Sequence, residues 1–547
     1  MLKIEPKQTS FHTSLYNKIP ENHILKVIDK AVNFSFINEM LADTYSKRMG
    51  RPAKEPELMC KLLILQHLYN LSDEKVIQES SLNLSHLYFL GLNPEDKLPD
   101  ESLLAKFRCH RLSEVSLDDI ITEVIRQCVE HGIIKGDSVS VDATHIQANT
   151  IKKTPERFMK HMARKIISSH QKNEETYESL LQEPDYEEIK DHHEAKSTMK
   201  SYLEAVIDEV KEKECTEKTK ELINEAKEIL ADPKFIKQKG IRSLIDKDAR
   251  VGHKSKTQSF YGYKYEYVMT TEENIIAAVH IADGAYIDGN EMKSLLERTV
   301  AGGVNIKEVY ADKAYFRKPI LESIEGIKAK AYIPVSGIVY RMDETKFTYN
   351  KDADEWSCHQ GATTIHKKYY KTKRDEGYRE GYRYSFLKED CEKCNFREEC
   401  AGKKAKKKVL SVGLNTGEFY SMSQEQKDDI FKEKYHKRAS IESKNAEQKR
   451  FHDLDRAKGY GLRSVSTQAK LTALAVNLKT ISRIVVKKTT DSKKKIGGFC
   501  LEKHFTVYFL IKELFELGKR GLFQWSRTVP LVGKNSQSFT MPWFVLV

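Results

Sequence analysis

Apolar residues recur at spacings of three and four along the first part of the chain. The segments with this spacing are residues 24–41, 56–71, 72–92 and 99–112. Such a period predicts amphipathic helices, and Ser72-Asp73 and Pro99-Asp100 are typical helix starts. Short helices joined by polar turns are compatible with a helix-turn-helix that reads DNA and equally with a small helical bundle.

The period changes to two at residues 136–148, where Val139, Val141 and Ala143 alternate with Ser138, Ser140 and Asp142. This alternation predicts a β-strand. A carboxylate on a partly buried strand costs free energy unless a cation pairs with it. Asp142 is therefore a candidate metal ligand, and the alternative is an ordinary solvent-facing aspartate.

Two more stretches show strand patterns. Tyr263, Tyr265 and Tyr267 alternate with other residues, and residues 271–274 have turn composition, which together predict a hairpin. Residues 306–311 predict a short strand that ends at Asp312, with a helix beginning near Tyr315 and a further strand at 330–335. An α/β sheet places active-site groups at such strand ends, although Asp312 is equally suited to cap the helix.

Two long stretches interrupt these patterns. Residues 151–240 are dominated by Lys and Glu and predict at least two long charged helices, which either clamp DNA, mediate dimerisation or serve as a spacer. Residues 336–425 are rich in strand-forming residues and contain Cys358, Cys391, Cys394 and Cys400. Four thiolates can bind a structural Zn²⁺, with His359 as a substitute ligand, or the cysteines can be free thiols.

Residues 431–450 contain no Pro or Gly and predict one helix. At about 100° per residue, Tyr435, Arg438, Glu442 and Lys449 fall within roughly a sixth of its circumference. A metal-binding carboxylate flanked by cations suits a phosphate chain, whereas a solvated helix face is the common alternative.

Other candidate contacts with nucleic acid are Trp356, which suits either base stacking or core packing, and the basic run at 403–408.

Composition narrows the class of protein. The chain has 547 residues and a formal net charge of +12, which favours an acidic partner such as nucleic acid or an anionic membrane. It has no run of 18 or more apolar residues and no apolar secretory core at its start, from which we expect a cytoplasmic protein.

The spacing Tyr435-x2-Arg438-x3-Glu442-x6-Lys449 resembles the signature of DDE insertion-sequence transposases. Residues 99–108 and the Gly50-Arg51-Pro52 tripeptide are similar to the helical N-terminal domain of these enzymes. The segments around Asp142 and Asp312 resemble the strands that carry their two aspartates. The resemblance implies an RNase H-like domain in which Asp142, Asp312 and Glu442 hold two Mg²⁺ ions, with Mn²⁺ as a substitute.

The resemblance also implies what the chain binds. Tyr435, Arg438 and Lys449 would hold phosphates of double-stranded DNA, at terminal inverted repeats and at the target. The expected activity is hydrolysis at the transposon ends followed by strand transfer, with a homodimer in the synaptic complex, no membrane partner, and a nucleoid-associated cytoplasmic location. The alternatives are a catalytically inactive DNA-binding derivative and a zinc-containing regulatory protein.

The predicted fold is multidomain α/β, in which an RNase H-like mixed sheet has flanking helices. Its parts are a helical N-terminal DNA-binding domain (1–115), a catalytic domain (133–482) interrupted by a charged helical insertion (151–240) and a β-rich cysteine-containing insertion (336–425), and a basic linker and C-terminal tail (483–547).

Overall fold

The computed structural model describes residues 9–46, 52–112, 117–171, 181–212, 215–233, 235, 240–255, 257–374 and 377–495. The chain divides into two compact units, residues 1–482 and 483–547. Gly50-Arg51 and residues 496–547, most of the predicted tail, lie outside the described residues. The first unit is a mixed α/β structure with several sheets.

The first part of the chain is helical, as its apolar spacing predicts. Its helices are α1 (Ile24–Ala31), α2 (Phe36–Met40), α3 (Pro56–Leu68), α4 (Asp73–Leu82), α5 (Leu84–Phe89), α6 (Ser102–His110) and α7 (Leu117–Glu130), with 3-10 helices at Phe11–Lys18 and Ala42–Thr44. The Ser72 hydroxyl caps α4 by accepting from the amide of Lys75. α3 is buried along most of its length and forms the centre of this region.

The central sheet has six strands: β1 (Ser138–Gln147), β2 (Arg250–His253), β3 (Ser259–Thr270), β4 (Ile276–Asp283), β5 (Glu308–Tyr310) and β6 (Lys330–Tyr332). β2 and β4 both pair with β3, which pairs with β1, followed by β5 and β6. The β4–β3–β1 part is antiparallel, and the β1–β5–β6 part is parallel. Helices α11 (Met292–Ala301) and α12 (Lys318–Gly326) flank it.

The predicted tyrosine alternation is confirmed. Tyr263, Tyr265 and Tyr267 are all fully buried on one face of β3. Tyr267 lies opposite Asp142 in the antiparallel register, so that aspartate shares the face of the three rings.

The charged stretch after β1 forms α8 (Pro155–Gln171), α9 (His192–Lys211) and α10 (Glu217–Ala231). These helices share a separate apolar core that includes Met162, Leu203 and Val206. An insertion with its own core can keep its shape apart from the sheet.

The second interrupting stretch forms β7 (Phe347–Asn350), β8 (Glu355–Cys358), β9 (Thr364–Arg374), β10 (Gly377–Phe386), α13 (Lys388–Glu392), α14 (Arg397–Ala401) and β11 (Val409–Gly413). β7 pairs with β8, and β11–β10–β9 form a three-stranded antiparallel sheet. Trp356, Tyr384 and Phe386 lie in the core of this region.

The last helices are α15 (Thr416–Glu425), α16 (Asp429–Tyr435), α17 (Ser440–His452) and α18 (Leu462–Lys495). Leu471, Leu474 and Leu478 of α18 are buried, as their spacing predicts. Among the described residues, we find no helix with the length and apolar character needed to cross a bilayer.

Candidate active site

Two aspartates come from neighbouring parts of the sheet, one within β1 and one just after β5. β1 and β5 are parallel, with Ser140 opposite Tyr310. Asp142, within β1, and Asp312, just after the end of β5, each come two residues later, so the register brings them to the same side of the sheet edge. Asp312 also caps the short 3-10 helix that follows β5 by accepting a hydrogen bond from the amide two residues on.

The glutamate comes from the segment predicted as one helix over 431–450. The structure instead has α16 to Tyr435, a 3-10 helix at His436–Ala439 and then α17, with Glu442 in its first turn. The single-helix prediction is wrong in this respect. A 3-10 helix has about three residues per turn, so it rotates Arg438 away from the position that a continuous α-helix would give it.

Arg438 links two of the three acids. Its Nη2 lies 3.2 Å from Oδ1 of Asp142, and its Nη1 lies 3.4 Å from Oε1 of Glu442. The Asp142 and Arg438 side chains are 14% and 16% exposed, whereas that of Glu442 is 70% exposed. The site therefore has a buried floor formed by Asp142 and a solvent-facing rim formed by Glu442.

Asn445 is a site residue that the sequence reasoning missed. Its Nδ2 donates to Oδ2 of Asp142 at 2.9 Å, and its Oδ1 accepts from the Tyr267 hydroxyl at 3.0 Å. The signal was present, because Asn445 is three residues after Glu442 and therefore on the same side of a helix. Only the fold shows that Asp142 lies beneath it.

Burial raises the pKa of Asp142 to about 6, and the nearby charge of Asp312 acts in the same direction, against the guanidinium of Arg438. Burial lowers the pKa of Arg438, but the charges of Asp142, Tyr435 and Asp312 outweigh it and the net shift is upward. The effect of the Asp312 charge on Asp142 agrees with the neighbouring positions of β1 and β5.

Tyr435 and Lys449 lie at opposite ends of the site. Burial raises the pKa of the Tyr435 hydroxyl, on which the charges of Arg438, Asp312 and both other acids also act. The Lys449 amine lies 3.5 Å from Nδ1 of His145 on β1. Burial, with the charge of Lys254, lowers the pKa of Lys449. Arg438 and Lys449 thus contact Asp142 and His145 of β1, while the charges of Asp142, Asp312 and Glu442 reach Tyr435.

The donor chemistry of this site suits a hard divalent cation, because all three candidate ligands are carboxylates. A buried carboxylate such as Asp142 also needs a positive partner, a role that Arg438 fills in this structure. Across the part of the chain that the structure describes, no three His, Cys, Asp or Glu side chains are arranged to hold a metal ion. The residues fit Mg²⁺ by chemistry, whereas their present positions are those of an arginine-bridged site.

The four cysteines of the β-rich stretch line one cavity of about 350 Å³, together with His359. All four are free and half-buried. Cys391 Sγ accepts from the amide of Lys408 at 3.5 Å. Cys358, at the end of β8, therefore reaches the same cavity as the three cysteines from α13, α14 and the link between them.

Trp356 is not available for base stacking. It is fully buried in the core of the β-rich stretch, where it packs against Tyr349 and Tyr420 with ring centroids 4.9 and 5.5 Å away. The alternative of core packing is confirmed.

Two family models match the chain. Residues 13–110, which hold α1 to α6, match "Transposase domain (DUF772)", and residues 357–482 match "Transposase DDE domain". The second match contains Arg438, Glu442 and Lys449, whereas Asp142 and Asp312 precede it. These matches support a DNA transposase.

Among solved structures, the chain is similar to a piggyBac transposase synaptic complex with hairpin DNA. The identity is 9%, the TM-score is 0.24, and the match covers 88% of this chain and 82% of the other. No curated protein matches the chain.

Proposed function

We propose that this chain is a bacterial insertion-sequence transposase that cuts DNA at transposon ends and joins those ends to target DNA. One observation carries the proposal: Asp142 and Glu442 both pair with Arg438, and the charge of Asp312 acts on Asp142 and on Arg438, although 169 and 129 residues separate the three acids in the sequence. An accidental charged helix would have no reason to face one aspartate within β1 and a second just after its parallel neighbour β5.

The order of the sheet supports an RNase H-like catalytic domain. Three antiparallel strands are followed by two parallel ones, with the first aspartate on the central strand β1 and the second just after its parallel neighbour β5. The helix that carries Glu442 packs on the same face, where the Tyr265 hydroxyl donates to Gln448 at 2.7 Å.

The carboxylates of Asp142, Asp312 and Glu442 would hold two Mg²⁺ ions, for which Mn²⁺ would substitute. When bound, such ions activate a water or a DNA 3′-hydroxyl and stabilise the leaving oxygen. The chain's own cations position the DNA. Arg438, whose Nη1 lies 3.4 Å from the exposed Glu442, would bind a phosphate oxygen at the rim of the site. Lys449 and Tyr435 would contact neighbouring phosphates.

Two further features belong to this proposal. The N-terminal helices would recognise the terminal inverted repeats, and a homodimer would hold two transposon ends together. The protein would lie in the cytoplasm, associated with the nucleoid.

The cavity lined by four cysteines would hold a structural Zn²⁺, since four thiolates form a complete tetrahedral ligand set. Mass spectrometry of the intact protein should find one zinc per chain that Cys391→Ser removes, and a metal-free wild type would refute the zinc site.

The catalytic proposal is tested with duplex DNA that carries the inverted repeats flanking the gene. The wild type should cleave and transfer these ends in Mg²⁺ or Mn²⁺ and not in EDTA. Asp142→Ala, Asp312→Ala and Glu442→Ala should each lower the rate by at least about a thousandfold while binding the DNA normally. As a control, Glu297→Ala, on the exposed face of α11, should keep full activity. Binding without cleavage by the wild type would instead favour the inactive derivative.

A further inference from the structure

The three-stranded sheet of the β-rich stretch has one face with no core behind it. In the antiparallel register, Lys368 lies opposite Arg383, and Thr372 lies opposite Arg379. Lys368, Arg379 and Arg383 are all exposed. On the neighbouring strand β11, Ser411 lies opposite Arg383 and is also exposed. We call the side that carries these residues the outer face.

The cations on the two faces of the sheet differ in whether they form ion pairs. On the inner face, Lys367 pairs with Asp354 at 2.5 Å, and Lys371 pairs with Glu380 at 2.6 Å. On the outer face, no acidic side chain of the described residues pairs with Lys368, Arg379 or Arg383. Lys367 and Lys371 are thus held by ion pairs within the fold, whereas Lys368, Arg379 and Arg383 keep their charge for a partner.

The centre of the outer face is flat. A side chain at Gly381 would meet the backbone oxygen of Val412 at 2.1 Å and the Tyr370 ring at about 3 Å, so the ring lies over the glycine. The Arg383 guanidinium lies 4.9 Å from the centre of the same ring. A low aromatic surface with cations around it lets a long, rigid polyanion approach closely.

The face also has a projecting end. β11 pairs only with residues 381–385 of β10, so the part of the hairpin nearer its turn is a two-stranded ribbon. Arg379 lies on this ribbon. The turn residues 375–376 are Asp and Glu and lie outside the described residues. A two-stranded ribbon has the width that a DNA major groove admits.

We propose that the outer face of β9–β10–β11 binds the phosphate backbone of duplex DNA. This inference rests on the proposed transposase function and adds a second DNA contact to it. Charge complementarity identifies the partner, because the face offers three unpaired cations and the flat aromatic centre on a surface broad enough for a duplex.

The test measures binding of the full-length protein to a 40-base-pair duplex by fluorescence anisotropy in EDTA, where no cleavage occurs, at several salt concentrations. The variant is Lys368→Ala/Arg379→Ala/Arg383→Ala. We expect its affinity to fall about 10- to 100-fold at low salt and its salt slope to decrease by about 2 to 3, since each lost phosphate contact removes about 0.9. The matched control, Lys218→Ala/Lys220→Ala/Lys227→Ala on exposed positions of α10, carries the same charge change and should bind like the wild type.

The outcomes separate this inference from the proposed function. A wild-type affinity and slope in the outer-face variant would overturn the inference and leave the transposase proposal standing. An equal loss in the α10 control would also overturn it, because the effect would then not be specific to the outer face. A wild type that binds no duplex at all would overturn both. The variant's thermal midpoint, compared with the wild type, excludes unfolding as the cause of a loss, and a Lys368→Arg/Arg379→Lys/Arg383→Lys variant, which keeps the charge, should recover most of the binding.

Discussion

Asn445 holds the buried aspartate of the site in one orientation. Its amide donates to Asp142 and its carbonyl accepts from Tyr267, so it fixes the Asp142 carboxylate from the side opposite Arg438. Groups that orient a metal-binding carboxylate in this way commonly contribute about 10- to 100-fold to metal affinity or activity.

We therefore expect Asn445→Ala to lower the DNA cleavage rate by about 10- to 100-fold and to raise the Mg²⁺ concentration needed for half-maximal rate. A purely structural role would lower the amount of folded protein without moving the Mg²⁺ dependence. Ser443→Ala serves as the control, because Ser443 is exposed on the same helix and its hydroxyl donates to the backbone oxygen of Ser440. An unchanged Mg²⁺ dependence in Asn445→Ala would contradict the orienting role.

Protonation of His67 affects the stability of the folded chain. His67 is half-buried near Thr472, with the ring nitrogen 3.1 Å from the hydroxyl, and desolvation lowers its pKa from 6.5 to about 3. The unfolded chain takes up a proton at its ordinary pKa, whereas the folded chain does so only near pH 3. The free energy of unfolding must therefore decrease as the pH falls from about 6.5 towards 3.

This decrease is measured by urea unfolding between pH 8 and pH 4. In His67→Gln, the slope of unfolding free energy against pH should be smaller than in the wild type by up to about 1.4 kcal/mol per pH unit. Measurements at pH 8, where the imidazole is neutral in both states, provide the reference. If unfolding free energy changed with pH equally in the two proteins, protonation of His67 would not destabilise the fold, and the prediction would be wrong.

Among the elements, β3 positions the loop that carries Asp312. Glu266 of β3 is buried and accepts from the hydroxyls of Tyr286 and Tyr315 at 2.7 Å each and from the amide of Gly289 at 2.6 Å. Burial raises the pKa of Glu266, against the hydrogen bonds from the two tyrosines. Because Tyr315 ends the 3-10 helix that Asp312 caps, this network links the β3 strand to the second aspartate.

Removing the Glu266 carboxylate leaves three donors without their acceptor. We expect Glu266→Ala to lower the free energy of unfolding by about 3 to 5 kcal/mol, and Glu266→Gln, which keeps one carbonyl acceptor, to cost less. Chemical denaturation measures both, with Glu297→Ala at the surface as a control expected within about 0.5 kcal/mol of the wild type. Equal stability of Glu266→Ala and wild type would show that the network contributes nothing.

Most elements that frame the site follow from sequence patterns, and the contacts between them do not. The alternation around Asp142 and the three tyrosines predicted β1 and β3, because a half-buried strand must alternate. The 3-10 helix before α17 was missed, since its residues have ordinary helix propensity and tertiary contacts decide the local winding. The roles of Asn445 and Glu266 were missed because their hydrogen-bond partners, Asp142 and Tyr315, are 303 and 49 residues away in the sequence. The local sequence around each residue gives no sign of such a distant partner.

In the whole molecule, α18 joins the N-terminal helices to the central sheet. Lys470 pairs with Asp118 of α7 at 2.9 Å. Thr472 contacts His67 of α3, and the Asn477 side chain bonds to the backbone of Ile276 on β4 through both its oxygen and its nitrogen. Residues 471–478 are buried on all sides. A helix buried on every side cannot keep its place when the elements on one side leave.

We therefore expect the N-terminal helices and the sheet to unfold together. Hydrogen exchange with mass spectrometry at increasing urea should show the same midpoint for residues 56–68 of α3 and 139–146 of β1, because loss of either exposes the apolar sides of α18. The α8–α10 insertion is the internal contrast, since its separate core allows it to lose protection at lower urea. If α3 exchanged well before β1, the N-terminal helices would be an independently stable domain, and α18 would need only the sheet to remain folded.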